Sequence, residues 1–164
     1  RVEKPSSYEG LEILQNIIRM SLLDVPLLNT KDRAKGEAKG LAKFQYGQNS
    51  DFLVNSEISG RMPYKLRCGD LAAISPVVGG FGLTLKGGIE YSLQGGPTIT
   101  AENFKLIGDL FAVGVKSYDG SWNIGDQVVI KQGDKVTGVG IAKMMPEEMV
   151  AMKRGIAVEV RHHA

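Results

Sequence analysis

The sequence predicts an α+β fold: an N-terminal helix and small sheet domain, then a small curled barrel of mainly antiparallel strands with two helices. Three observations lead there. Residues 8–23 repeat apolar side chains at helical spacing. Twenty-one glycines among 164 residues, with only 7% aromatics, imply many tight turns between short strands. The last third alternates short apolar runs with turn residues and holds a helix marked at both ends. A chain of this length buries one good core or two small ones, and the expected division is 1–96 and 97–164.

In the first helix, Leu11, Leu14, Ile18 and Leu22 share one stripe, Ser6 or Ser7 caps the start, Glu9 sits in the first turn and Pro26 stops it. The run TKDRAKGEAKGLAK sets five basic and two acidic side chains among small residues. It reads as a solvated linker or an exposed helix, its cations facing water or meeting phosphate. From Phe44 to Leu93, apolar stretches at 52–54, 71–74 and 81–85 are broken by glycine, proline or serine, which predicts a small sheet. GGFG and LQGG lack the spacing of a phosphate loop and read as turns. KGGIEYSLQ places two glycines where a helix is expected.

The stretch TITAENFKLIGDLFAVGV begins like a strand and then predicts a helix from Thr100, stopped by Gly108, and a strand over 110–115. Thr100 with Asn103 is an imperfect capping box, and a glycine after the last turn is the usual left-handed terminator. Asp119–Gly120 reads as a hairpin turn, and Gly133–Asp134 joins two more strands. Gly138 and Gly140 predict a bend or bulge in the second of these. Pro146 suits the first position of a helix, with Glu147 and Glu148 in its positive first turn and Lys153 and Arg154 in its negative last turn. Gly155 ends that helix, and IAVEV closes the sheet.

Several function classes recede on composition. A net charge of +2 confines any nucleic-acid surface to a local patch. The single cysteine, Cys68, forms no internal disulfide and no structural zinc site by itself, which fits a reducing cytoplasm. No apolar run reaches the roughly 20 residues that span a bilayer, and the polar opening RVEKPSS has no signal-peptide pattern. His162 and His163 are neighbours on a strand, so they point to opposite faces and do not chelate one ion. No catalytic constellation, metal site or cofactor motif is expected.

The motifs GDLFAVGV, GDQVVIK, VTGVGIAKM and EEMVAMKRGIAVEVRH together resemble the PUA domain, an RNA-binding β-barrel, over Pro97 to His163. Upstream, GLAKFQYGQNSDFLV and RCGDLAAISPVVGGFGLTLKGG are similar to the small domain before the PUA domain in archaeal tRNA-guanine transglycosylase and archaeosine synthase. The transglycosylase's catalytic barrel, with its aspartates and zinc cysteines, is absent, and Met145 stands where a hydroxyl is common.

This resemblance implies an RNA-binding module, for tRNA above all, that positions its ligand for modification without catalysis of its own. Two alternatives stand beside it: a non-catalytic part of a transglycosylase or synthase, with a catalytic subunit as partner, and a protein-interaction module docked through the first helix. Carried onto this chain, Gly108, Leu110 and Phe111 would flank an RNA backbone or stack near a terminal base. Lys105, Lys153, Arg154 and Arg161 would supply cations, and His162 would face the RNA. Each also has a structural explanation: Gly108 as a helix terminator, Phe111 as core, and Lys153 and Arg154 as partners of the helix dipole.

Overall fold

A computed structural model describes residues 30–54, 56–59, 65–74 and 81–164. The predicted helix over 8–23, its serine caps and Pro26 lie outside the described residues. The charged run is helical and belongs to α1, which spans Thr30–Tyr46. Ala38, Ala42 and Tyr46, four apart, are buried, whereas Lys39 and Lys43 are exposed. Helical periodicity thus separates an apolar stripe from a wet one.

Residues 42–164 form one compact unit. After a 3-10 turn at Gly47–Ser50 comes a short helix, α2 (Asp51–Val54). The 52–54 stretch is therefore helical and not a strand, because Phe52 turns toward the rings of Tyr46 and Tyr91, at centroid distances of 6.5 and 6.1 Å. The small sheet follows as β1 (Glu57–Ser59), β2 (Lys65–Cys68), β3 (Asp70–Ile74) and β4 (Gly82–Leu83), antiparallel and in chain order.

The glycine-bearing segment is a helix, α3 (Leu85–Leu93). Its N-cap Thr84 accepts from the Gly87 N–H at 3.2 Å and donates its hydroxyl to the Leu71 carbonyl at 2.6 Å. The two glycines let α3 lie close to both sheets. A Cβ on Gly87 would overlap the Ala72 carbonyl, and one on Gly88 would overlap Val139.

The large sheet runs β6-β10-β9-β8-β5-β7. Its strands are β5 (Thr98–Ala101), β6 (Leu110–Phe111), β7 (Val115–Asp119), β8 (Gln127–Gln132), β9 (Lys135–Ala142) and β10 (Ile156–His163). Neighbours are antiparallel except β5 with β8. Ile99, Leu110, Val115, Ile130, Met149 and Val158 fill its core, each side chain contributing about 1.5–3 kcal/mol of hydrophobic stabilisation.

Three local expectations change. The helix predicted from Thr100 is absent: Thr98–Ala101 is a strand with ladders on both sides, and 102–109 is irregular. Two ladders outweigh an imperfect capping box. Gly108 therefore caps no helix, and its backbone is outside the left-handed region. Asp119–Gly120 makes no hairpin, because β7 pairs with β5 while β8 lies on the other side of β5. Gly120, at φ +86°, opens a longer link to β8.

The strand expected over 110–115 is split by a 3-10 turn at Ala112–Gly114, and Lys153 and Arg154 fall outside the last turn of the final helix, whereas the Gly133–Asp134 turn, the bend after it and the proline start of that helix hold. Gln132 faces Lys135 across the Gly133–Asp134 turn, with Gly133 at φ +60°. Register shifts at Thr137, between the Ile130–Gly138 and Lys131–Val136 pairs, where the glycine-bearing strand bends. The last helix, α4 (Pro146–Met152), begins at its proline, and the Glu148 carboxylate accepts from the Met145 N–H at 3.2 Å. α4 stops before the basic pair: Lys153 takes the left-handed conformation at φ 53°, and Gly155 at φ 82° turns the chain into β10.

Candidate nucleic-acid interface

Residues 102–114 run from the β8–β9 hairpin along β10 to its start, and four kinds of contact hold them there. The Gln132 side-chain amide donates to the carbonyls of Glu102 and Phe104, at 2.7 and 2.6 Å. Leu106 is buried against Gly138, where a Cβ would approach the leucine to 2.8 Å. The Asp109 carboxylate accepts from the Val160 N–H at 3.0 Å. Finally, Leu110 and Phe111 form β6, opposite Val158 and Ile156, and the Ala112 N–H donates to the Gly155 carbonyl at 2.9 Å.

This arrangement turns Phe111 outward. Phe111 is 53% exposed and Ile156, its cross-strand partner, 39%, so the two side chains are neighbours on an open face. Val113 is exposed beyond them. Phe104 lies over Gly114, where a Cβ would come within 2.9 Å of the ring, so only glycine leaves room for it. Leu110, by contrast, is completely buried; it anchors β6 and presents no surface to a ligand.

Lys153 and Arg154 lead directly into Ile156 through Gly155. Lys153, in its left-handed turn, donates from Nζ to the Val115 carbonyl at 3.2 Å. An ammonium carries three donors, so two remain for an anion. Arg154 and Lys105 are exposed. Gly108 is exposed too, with nothing within 4 Å of the position a Cβ would take, so its bare main chain is open to a ligand.

Arg161 and His162 stand apart from that corner. Arg161 is five residues along β10 from Ile156, about 16 Å at strand rise, and it is the extra residue in a register shift against β9. Its guanidinium pairs with Glu159 at 2.7 Å, and the other Glu159 oxygen meets Lys143 Nζ at 2.5 Å. The hydrogen bond from Lys143, followed by the charge of Arg161, holds the Glu159 carboxyl below the usual glutamate value against the opposing effect of desolvation. His162 is exposed and faces Val139 across the ladder. Among the described residues no group of histidines, cysteines and carboxylates is placed to hold a metal ion, and no helix is long and apolar enough to cross a membrane.

Of the site residues named from the sequence, Phe111, Lys153 and Arg154 lie at this corner; Phe104, Val113, Ile156, Lys143 and Glu159 were not named from it. Glycines 114 and 155 were the available signal for the close approach of 104–113 to β10, and no local pattern marks Lys143 as the partner of Glu159.

A six-stranded curled sheet with one parallel pair, closed by a late helix and a final strand, is a PUA barrel, and residues 100–164 match the PUA domain family. Residues 100–164 of this chain form a PUA domain. Its relatives are archaeosine synthases: it is 32% identical to archaeosine synthase of Haloferax volcanii over 170 aligned positions, which cover 98% of this chain and 28% of that protein. Identity is 49% over 59 residues with archaeosine synthase subunit alpha of Thermococcus kodakarensis, or 36% of this chain and 10% of that one. The chain therefore spans little more than a quarter of the first relative's length. A conserved PUA domain protein from Thermoplasma acidophilum shares the fold, with a TM-score of 0.58 and 21% identity, covering 76% of this chain and 89% of that one.

Proposed function

We propose that this chain is an RNA-binding part of an archaeosine synthase-like protein and that it holds tRNA for modification carried out by a catalytic domain or subunit elsewhere. Within the compact unit, residues 97–164 read the RNA, and the small sheet with α3 supports them. The observation that carries the reading is the open strip of Phe111, Ile156 and Val113, with the exposed Lys153 and Arg154 just before Ile156 in the chain. Aromatic and aliphatic faces accept unstacked bases, cations accept phosphates, and the bare main chain at Gly108 lets a ribose-phosphate strand come close.

Filter binding of total tRNA across a salt series tests this. Neutralising phosphates with lysine and arginine releases counterions, so affinity falls as salt rises. Replacing Lys153 and Arg154 together by alanine is expected to weaken binding roughly tenfold and to flatten the log–log slope by about 1 to 2. Affinity that is independent of salt, or the same in the double variant, rejects the assignment.

A further inference from the structure

Glu159 is an anion placed among the cations of a surface read here as a phosphate contact. Its two oxygens take different partners, Lys143 Nζ at 2.5 Å and Arg161 Nη2 at 2.7 Å. Glu159 and Arg161 lie on β10 and Lys143 directly follows β9, and main-chain geometry holds all three. Glu159 faces Ile141 in the β9 ladder, the Lys143 N–H donates to the Ala157 carbonyl at 2.8 Å, and Arg161 is displaced by the register shift that follows Val160. All three side chains retain solvent access, with 44% exposure at Lys143, 57% at Arg161 and 31% at Glu159. An incoming anion can therefore reach the pair.

We infer that the Glu159 carboxylate occupies a phosphate seat between Lys143 and Arg161 in the free protein, and that a backbone phosphate of bound RNA displaces it. This rests on the RNA-binding function proposed above and adds to it a second contact at Glu159, three residues or about 10 Å along β10 from Ile156. The chemistry is that of one anion replacing another. A guanidinium fork and an ammonium accept a carboxylate or a phosphate in the same geometry, and the phosphate carries more acceptor oxygens. Glu159 then keeps both cations aligned while taxing every binding event. A ligand with no phosphate at this spacing gains nothing from displacing it, so the residue selects for length as well as charge.

The test is a coupled set of variants of the whole chain, with total tRNA as the probe in filter binding over a salt series. Glu159→Gln keeps the shape and removes the charge. It is expected to tighten binding roughly three- to tenfold and to steepen the log–log slope by about 1 to 2, because two cations are released to meet phosphate. In a background carrying Lys143→Ala and Arg161→Ala, Glu159→Gln should give almost no gain. Equal gains in both backgrounds would mean that Glu159 merely repels RNA through space, and the seat would be refuted. So would Glu159→Gln binding as wild type or weaker while wild type binds with a salt slope, an outcome that leaves the RNA assignment standing. Binding by neither protein removes both.

Discussion

At Lys153 a cationic side chain sits where glycine would be more comfortable. A non-glycine residue in the left-handed region has its Cβ too close to the following carbonyl, at about 1–2 kcal/mol. Here φ is 53° at the C-terminal cap of α4, and Gly155, two residues on, has already supplied one permissive position. The lysine strains the cap, and what it places there is an ammonium that donates to the Val115 carbonyl. This separates stability from binding. Lys153→Gly and Lys153→Ala both lose the ammonium and should weaken tRNA binding equally, yet the glycine variant should be about 1 kcal/mol more stable than the alanine variant in urea denaturation. Equal stability would show that the cap carries no strain.

Among the elements, α3 breaks a general rule. A glycine inside an exposed helix costs about 1 kcal/mol relative to alanine, so replacement normally stabilises. At Gly87 the sign reverses, because the added methyl would enter the Ala72 carbonyl, which is backbone and cannot rotate away. Gly87→Ala should therefore cost about 3 kcal/mol or prevent folding, measurable as a lowered denaturation midpoint or loss of soluble protein. The same contrast explains what the sequence made legible. α4 and the β8–β9 hairpin are specified by residues within a few positions of one another, Pro146 with Glu148 and Gly133 with Asp134, so both were readable. The segment after Thr100 was not, because its conformation is decided by β7 and β8, strands that lie far along the chain. The basic corner was legible in part: Lys153 and Arg154 are consecutive with β10, whereas the Lys143–Glu159–Arg161 triad needs the β9–β10 register before its members become neighbours.

Within the compact unit of 42–164, the Gln127 side chain joins the segment at β4 to the large sheet. The Gln127 oxygen accepts from the Leu83 N–H at 2.8 Å, and its amide donates to the Phe81 carbonyl. The same carbonyl accepts from Gln45 at 2.8 Å and from Tyr46 at 2.5 Å, so three donors from two other elements meet on one oxygen. Removing the glutamine leaves a buried N–H without a partner, which costs about 1–3 kcal/mol. Gln127→Ala should lower stability by that amount, and hydrogen exchange at Leu83 should rise before exchange in β8 does. If Leu83 stays as protected as β8, the bridge is not what holds that segment.

The position of β10 has a bearing on how the protein is made. This last strand is not an edge; it fits between β6 and β9, and its register with both closes the core around Val158. A nascent chain on the ribosome thus holds the other strands with a slot left open until residues 156–163 emerge from the exit tunnel. Until then Leu110 and Met149 lack the strand that covers them, so the sheet closes its core only once residues 156–163 are free to pair with β6 and β9.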